Sequence, residues 1–170
     1  MIHLYTGDGR GKTTAAVGLA VRALGQGFNV VFAQFFKGCE TGEISALKDL
    51  GAEIVRPKRN YGFWWTLTEK EKQSLRREHE QIIQTVIDLC LSGLPPDLLI
   101  LDEFTYVYNG AMVSRAKCEA LFAAIGQKTE LVITGRAAAD LADRADYLTE
   151  MSAVKHPFVQ GTPARRGIEF

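Results

Sequence analysis

The segment TGDGRGKTTAA at residues 6–16 is the most informative part of the chain for predicting its fold. Its segment GKT, at 11–13, matches the end of the phosphate-loop pattern G-x-x-x-x-G-K-[ST]. In that pattern, loop N–H groups and the lysine bind phosphate oxygens, and the last hydroxyl binds Mg²⁺. The first glycine should fall at position 6, but the chain has Thr6 there, and a glycine follows one position later, at Gly7. The stretch therefore predicts a phosphate-binding loop of unusual spacing.

The segments on either side of this glycine loop (residues 7–11) support the same interpretation. Ile2–Tyr5 is an apolar run typical of a strand, and Lys12–Leu24 is an alanine-rich helical pattern. A helix that begins at the loop directs its positive end at bound phosphates. The dinucleotide pattern G-x-G-x-x-G does not fit, because its last glycine would fall on Lys12. We therefore do not expect a nicotinamide or flavin site.

Short apolar runs alternate with amphipathic stretches along the rest of the chain. Thr68 and Glu71 form a capping-box pattern at the start of the longest of these stretches. The alternation predicts an α/β fold of the P-loop NTPase-like (RecA-like) class, with a predominantly parallel sheet and helices on both faces. Ligands of such a sheet lie beyond the carboxyl ends of its strands. We predict further strands at 29–36, 52–55, 97–101, 131–134, 147–151 and 167–170, and further helices at 43–50, 68–91 and 114–125.

The composition limits the classes of function. The 170 residues, 46% of them hydrophobic, fit one nucleotide-binding domain over residues 1–170. Lys and Arg together number 20, as do Asp and Glu, so nothing indicates general attraction to nucleic acid or to an anionic membrane. No apolar run approaches the roughly 20 residues that span a bilayer, and the first residues lack a signal-peptide pattern. Cys39, Cys90 and Cys118 have no metal-ligand spacing, and we expect a cytoplasmic protein.

A second motif, LLILDE at residues 98–103, places two carboxylates at the end of an apolar strand. In P-loop proteins, the carboxylate that supports Mg²⁺ lies in this position beside the loop. The two motifs together predict a nucleoside triphosphate bound with Mg²⁺, but kinases, hydrolases and group transferases share them. Arg136, which follows a strand, is either a phosphate contact or a surface arginine, and Lys37 ends another strand where a ligand would lie.

A third segment, YGFWW at 61–65, brings Phe63, Trp64 and Trp65 into a loop-like stretch. Both tryptophans of the chain lie here. Such rings either form a local core or present a flat surface to a ligand, and the sequence by itself favours the core.

These motifs resemble those of a known family, the ATP:corrinoid adenosyltransferases of the CobA/BtuR/CobO type. The resemblance covers most of the chain, and the displaced first glycine is itself a trait of that family. The similar segments are YTGDGRGKTTAA at 5–16, QFFKG at 34–38, TGE at 41–43, GFWW at 62–65, LDEFTY at 101–106, ITGR at 133–136, ADYLTEM at 145–151, KHPF at 155–158 and GIEF at 167–170.

The resemblance implies a specific reaction. The 5′-deoxyadenosyl group of ATP moves to the cobalt of a reduced corrinoid, and the whole triphosphate leaves. It also implies ATP bound in the reverse sense along the loop. The bond that breaks joins C5′ to the α-phosphate oxygen, whereas ordinary P-loop enzymes break the bond at the γ-phosphate. In that family, a phenylalanine and a tryptophan that match Phe63 and Trp65 pack against the corrinoid and displace its lower axial ligand. Four-coordinate Co(II) is then easier to reduce to Co(I), which attacks C5′ directly.

The resemblance also implies the site residues and the partners. Lys12, Phe63 and Trp65 are the expected catalytic residues, and Arg136 is an expected nucleotide contact. Thr13, Glu103 and Asp102 are the expected ligands of Mg²⁺, for which Mn²⁺ can substitute. A reduced flavoprotein is the expected electron donor, and a homodimer the expected assembly, around a corrinoid-binding loop at 57–67. The residues expected to bind the triphosphate are Gly7, Asp8, Gly9, Arg10, Gly11, Lys12, Thr13 and Thr14.

Two other functions share the same motifs. A small P-loop kinase or ATPase would release ADP from ATP. A nucleotide or corrinoid carrier would bind both without turnover. The loop lysine and the pair of carboxylates favour a catalytic function over a carrier.

Overall fold

The structure, a computed structural model, describes residues 1–39, 41–62, 64–155, 161, 163 and 165–168. Within these residues, strands β1 to β6 cover Ile2–Thr6, Val30–Gln34, Glu53–Val55, Leu98–Asp102, Glu130–Thr134 and Tyr147–Glu150. Helices α1 to α6 cover Lys12–Leu24, Gly42–Asp49, Glu69–Cys90, Phe104–Asn109, Arg115–Ala124 and Ala139–Ala142. A 3-10 turn covers Trp64–Thr66.

The strands of the described residues form one sheet in the order β3-β2-β4-β5-β1-β6. Every neighbouring pair of strands is parallel. Parallel strands need crossover connections, and the helices between them supply these. The predicted α/β fold with a parallel sheet is therefore confirmed.

The hydrophobic core lies on both faces of the sheet, because consecutive residues of each strand point in opposite directions. In β4, Leu99 and Leu101 join a cluster with residues of α3, α4 and α5. Leu98 and Ile100 join a second cluster with the alanines of α1 and with residues of α2. Strands covered on both faces are apolar almost throughout, which explains the runs in the sequence.

Local sequence signals explain where the main helices begin and pack. The Thr68 hydroxyl accepts a hydrogen bond from the Glu71 N–H, and the Glu71 carboxylate accepts one from the Thr68 N–H, so the predicted capping box is present. Helix α1 buries Ala16, Ala20 and Ala23, whose spacing puts all three on one face. These small side chains let the helix that follows the glycine loop lie close to the sheet.

The structure differs from the predicted elements in four places. Helices α4 and α6 were not expected, and part of the loop-like YGFWW segment is a 3-10 turn. Gly167 and Ile168 lie in a turn, so the strand predicted at 167–170 does not begin there, and its last two residues lie outside the described part. No helix within the described residues is both long and apolar enough to cross a membrane.

Candidate functional site

The carboxyl ends of four adjacent strands, β2, β4, β5 and β1, border one cavity of about 640 Å³. This volume lies within the roughly 300–1,000 Å³ usual for small-molecule sites. The glycine loop follows β1, Lys37 follows β2, Glu103 follows β4 and Arg136 follows β5. The cavity therefore lies where ligands bind to open parallel sheets.

The structure brings most of the predicted site residues together at this cavity. Gly7 and Asp102 lie directly beside the lining residues, and Trp65 belongs to a separate segment. Phe63 lies outside the described residues. The predicted residues that line the cavity are Asp8, Gly9, Arg10, Gly11, Lys12, Thr13, Thr14, Glu103 and Arg136.

The displaced glycine has a structural explanation. Thr6 is still part of β1, where it pairs with Glu150 of β6 and accepts a hydrogen bond from the N–H of Met151 at 2.9 Å. The loop begins only after it, at Gly7, which has a φ of 94°. A Cβ at Gly7 or Gly9 would lie 2.4 or 2.6 Å from the carbonyl oxygen of Met151, so both positions need glycine. The pairing of β1 with β6 thus sets the spacing of the loop.

Lys12 folds back over the glycine loop. Its ammonium donates hydrogen bonds to the carbonyl oxygens of Gly7 at 2.6 Å and Gly9 at 2.7 Å. Burial lowers the pKa of Lys12, and the nearby charge of Arg136 lowers it further. The positive charge is therefore already inside the loop, next to backbone N–H groups that can receive an anion.

Asp102 lies beneath the cavity and is 0% exposed. Its Oδ1 accepts hydrogen bonds from the hydroxyls of Thr13 at 2.8 Å and Thr134 at 2.7 Å. Its Oδ2 accepts one from the Gln34 side chain at 3.0 Å. Asp102 therefore orients the Thr13 hydroxyl at the start of α1 and ties it to β2 and β5.

Glu103 points into the cavity instead, because the chain turns sharply after β4. Its φ is 64°, and its N–H donates to the Thr134 hydroxyl at 3.0 Å. Burial raises the pKa of the Glu103 carboxyl, the negative charge of Asp102 raises it further, and Lys37 and Lys12 oppose the rise. The two adjacent carboxylates thus have different positions, one sealed below the cavity and one lining it.

Lys37 provides the counter-charge to both carboxylates. Its Nζ lies 3.6 Å from Asp102 Oδ2 and 3.7 Å from Glu103 Oε1. Burial lowers the pKa of Lys37, but Asp102, Glu103 and Glu43 together outweigh it, so the pKa lies above its usual value. Lys37 is therefore charged at neutral pH.

Arg136 borders the cavity on the β5 side. Its Nε lies 3.8 Å from Asp8 Oδ1 across the mouth of the glycine loop. Its backbone carbonyl accepts a hydrogen bond from the buried Thr105 hydroxyl at 2.6 Å. Residue 135 must be glycine, because a Cβ there would lie 2.0 Å from that same hydroxyl oxygen. Helix α4 therefore fixes the backbone that presents Arg136.

The oxygen donors at the cavity fit Mg²⁺ bound together with a phosphate ligand. Within the described residues, no group of three or more His, Cys, Asp or Glu side chains could hold a metal ion alone. Thr13 and Glu103 line the same cavity, and Asp102 contacts the Thr13 hydroxyl. Mg²⁺ usually binds to one or two carboxylates, to water and to substrate phosphates rather than to a complete protein cage.

The two tryptophans of the YGFWW segment have different environments. Trp64 is half-buried, packs with Phe36 against the cluster of Tyr61, Leu67 and Leu75, and lies 5.5 Å from the Lys72 ammonium. Trp65 is 76% exposed. The local-core interpretation therefore holds for Trp64, while Trp65 presents a large apolar ring to solvent, as a ligand surface does.

Several cavity residues did not stand out in the sequence as site residues. Tyr106 of α4 and Glu43 of α2 line the cavity, as do Gly167 and Ile168. Arg10 donates a hydrogen bond to the carbonyl oxygen of Ile168 at 3.2 Å, which brings Ile168 over the glycine loop. The motif LDEFTY contained a signal for Tyr106 only through its position, three residues after Glu103.

Comparison with known proteins identifies the family. The family described as ATP:corrinoid adenosyltransferase BtuR/CobO/CobP matches residues 1–170. The chain belongs to this family. The corrinoid adenosyltransferase CobA of Salmonella typhimurium is 36% identical, with all of this chain and 85% of that protein covered. Corrinoid adenosyltransferases of Escherichia coli K12 and Pseudomonas aeruginosa are 34% and 30% identical, with all of this chain and 85% and 83% of those proteins covered.

The chain has a charged cavity and, on a different loop, an exposed aromatic ring. The family also confirms the resemblance drawn from the motifs.

Proposed function

We propose that this protein transfers the 5′-deoxyadenosyl group of ATP to the Co(I) of a corrinoid and releases tripolyphosphate. The observation that carries the proposal is the family match over the whole chain, together with a phosphate-type glycine loop at a cavity lined by four cationic side chains. Arg10, Lys12, Lys37 and Arg136 suit a polyanionic leaving group.

In this reaction the loop residues bind and orient the triphosphate. The C5′–O bond to the α-phosphate breaks, and negative charge grows on the departing oxygen. Lys12 and the backbone N–H groups of residues 7–14 neutralise that charge, because they are fixed in the loop before the substrate binds. Arg136, fixed through its backbone by Thr105, contacts the nucleotide from the β5 side.

Mg²⁺, or Mn²⁺, would be held by Thr13 and Glu103, with Asp102 behind the Thr13 hydroxyl. When bound, the cation supplies charge neutralisation for the triphosphate. Asp102 orients Thr13, and Glu103 provides an oxygen donor inside the cavity.

The aromatic segment would receive the corrinoid. Trp65, with Phe63 as the resemblance implies, packs against the face of the macrocycle and excludes the lower axial ligand. The exposure of Trp65 supports this role, because 76% of its surface faces solvent. Reduced Co(I) is itself the nucleophile, so the protein needs to orient the substrates and tune the metal rather than supply a general base.

The remaining expectations follow from the family. We propose a reduced flavoprotein as electron donor, a homodimer as the assembly and the cytoplasm as the compartment. We further propose that residues 1–170 act as one nucleotide-binding domain with the corrinoid loop at 57–67.

The decisive experiment incubates the protein with ATP, Mg²⁺ and chemically reduced cobalamin. We expect a light-sensitive cobalt–carbon product and an equal amount of tripolyphosphate. Release of ADP instead would identify a kinase or ATPase. Tight binding of both substrates without either product in a single turnover would identify a carrier.

A second experiment tests the aromatic segment. Trp65→Ala should slow turnover that begins from Co(II) at least about tenfold, but largely spare the reaction of preformed Co(I), because only the reduction step needs the lower ligand removed. Phe28→Ala is the control, since Phe28 is also an exposed ring but precedes β2 at the opposite edge of the sheet. Equal losses from Co(II) and Co(I) would contradict the proposed role.

A further inference from the structure

We infer that the buried imidazole of His79 positions Lys37, and that Lys37 thereby competes with a divalent cation for Asp102 and Glu103. The inference deepens the proposed function, because it assigns a regulating residue to the proposed cation site. It depends on contacts between α3, the end of β2 and the two carboxylates.

The chain makes a strained turn directly after β2. The N–H of Phe35 still donates to the carbonyl oxygen of Asp102 at 3.0 Å, as in the sheet. Phe36 then adopts a φ of 65°, and the N–H of Lys37 donates to the carbonyl oxygen of Phe35 at 2.8 Å. A positive φ inside a three-residue turn is rare and strained for a bulky residue. Such a turn persists only where neighbouring groups hold it.

His79 of α3 supplies one of these holding contacts. It is 0% exposed, and its Nε2 accepts a hydrogen bond from the N–H of Phe36 at 3.3 Å. The Phe35 and Phe36 rings contact the imidazole edge-to-face, with ring centres 5.4 and 4.6 Å away. Burial lowers the pKa of His79 to about 3, so the ring is neutral and Nε2 can accept.

Unpaired within the described part of the chain, the Nδ1 of His79 indicates that a histidine is kept here for its Nε2 acceptor. Among the described residues, His79 Nδ1 has no hydrogen-bond partner although it is buried. An apolar side chain at position 79 would avoid that unpaired group, which costs stability. What the imidazole adds is an acceptor for the N–H of Phe36, which the turn would otherwise leave unpaired in the core.

Contacts after the turn fix the backbone of residues 37–39. The Arg56 guanidinium donates to the carbonyl oxygen of Lys37 at 2.8 Å and also to that of Cys39. A Cβ at Gly38 would lie 1.9 Å from the carbonyl oxygen of Arg59, so the two backbones touch there. With both ends held, the Lys37 ammonium has a defined place beside Asp102 and Glu103.

In that place, the Lys37 ammonium contacts the carboxylate oxygen atoms of Asp102 and Glu103 that a divalent cation would also contact. Lys37 is 37% exposed on its side chain, so it can leave when the cation arrives with its phosphate ligand. Until then it neutralises the two carboxylates and lowers their affinity for a free cation. The cavity would thus favour the cation bound to nucleotide over the cation alone.

The test measures the affinity for Mn²⁺ alone by electron paramagnetic resonance, without ATP or corrinoid. We expect Lys37→Met and His79→Leu each to bind Mn²⁺ about two- to fivefold more tightly than the wild type, the range of a partly exposed charge pair. His79→Gln should match the wild type, because the glutamine oxygen reaches the position of Nε2. The double variant His79→Leu/Lys37→Met should bind no more tightly than Lys37→Met.

General damage to the site would weaken Mn²⁺ binding, so tighter binding by these variants indicates loss of a competing, positioned lysine. If Lys37→Met does not tighten Mn²⁺ binding, the competition is wrong. If Lys37→Met tightens it but His79→Leu, still cooperative in thermal unfolding, does not, His79 does not position Lys37. If His79→Leu fails to fold, His79→Asn takes its place, since its shorter side chain cannot reach the N–H of Phe36. Unchanged Mn²⁺ affinities in an enzyme that transfers adenosyl groups would overturn this inference and leave the proposed function standing.

Discussion

Replacing Asp102 with asparagine distinguishes an effect on activity from an effect on the stability of the fold. The buried carboxylate accepts three hydrogen bonds, from Thr13, Thr134 and Gln34, and lies beside the Lys37 ammonium. Asparagine has nearly the same shape but only one acceptor oxygen and no charge. It can keep the two hydroxyl bonds through that oxygen.

The magnitude of the effect on stability follows from these contacts. Each of the three hydrogen bonds loses about 1 kcal/mol when its acceptor becomes neutral. Removing a buried charge regains part of that sum. The Gln34 amide can turn over to accept from the new asparagine, since its own Oε1 has no partner among the described residues. We therefore expect Asp102→Asn to lower the free energy of unfolding by only about 1–2 kcal/mol.

The effect on activity should be larger than this. Without the charge, the Thr13 hydroxyl is less firmly oriented and Lys37 loses one partner. Residues that orient metal ligands typically change metal affinity or activity by about 10- to 100-fold, and we expect a loss of that size in kcat/KM for Mg-ATP. The assays are adenosyl transfer to reduced cobalamin and urea unfolding of the same variant.

Asp97→Asn is the matched control. Asp97 precedes the same strand at its other end, where it accepts a hydrogen bond from the N–H of Asn29 at 2.8 Å. It should show a similar or smaller loss of stability and full activity. If Asp102→Asn keeps its activity within about twofold, or if Asp97→Asn loses as much, the role assigned to Asp102 is wrong.

Three further changes have defined outcomes. Gly9→Ala should weaken nucleotide binding at least about tenfold, since its Cβ would meet backbone 2.6 Å away. Gly18→Ala, whose Cβ would meet no described atom within 4 Å beyond its chain neighbours and the nearby backbone of α1, should stabilise α1 by about 0.5–1 kcal/mol; calorimetric titration and thermal unfolding decide. Glu103→Gln should raise the free energy of unfolding at pH 7, because burial raises the pKa of Glu103; the gain should vanish below the ordinary glutamate pKa, and a constant gain would refute this. The pKa of His79 is about 3 in the folded state and near 6.5 in the unfolded state. As the pH falls from 6.5 towards 3, the wild type should therefore lose about 1.4 kcal/mol of unfolding free energy per pH unit relative to His79→Gln. Parallel pH profiles from urea unfolding would contradict this.

The sequence predicts the fold well because its signals are local. The apolar runs of the buried strands and the capping box at Thr68 and Glu71 identify their elements without reference to other parts of the chain. Helix α4 was missed because it has no side-chain cap and follows Glu103, whose φ of 64° no local pattern indicates. The reason for the displaced first glycine could not be predicted either, because it depends on the pairing of Thr6 with Glu150.

Parts of the candidate site depend on contacts between distant residues. The sequence assigns the same role to Asp102 and Glu103, and only the structure separates them, since one ends the β4 ladder and the other begins a turn. The contact between His79 and the N–H of Phe36 joins positions 43 residues apart. A single sequence carries no signal for such a pairing.

The strain in the backbone gives an independent reason to place the function at this edge of the sheet. Three of the four non-glycine residues with positive φ in the described part, Phe36, Glu103 and Ala137, closely follow β2, β4 and β5. Each such residue costs about 1–3 kcal/mol and needs support from its surroundings. That support is present each time: an imidazole accepts from Phe36, a hydroxyl accepts from Glu103, and the Asn109 amide donates to Ala137. Stability alone gives no reason to keep three strained turns at one edge, whereas a site that must direct a lysine, a carboxylate and an arginine into one cavity does.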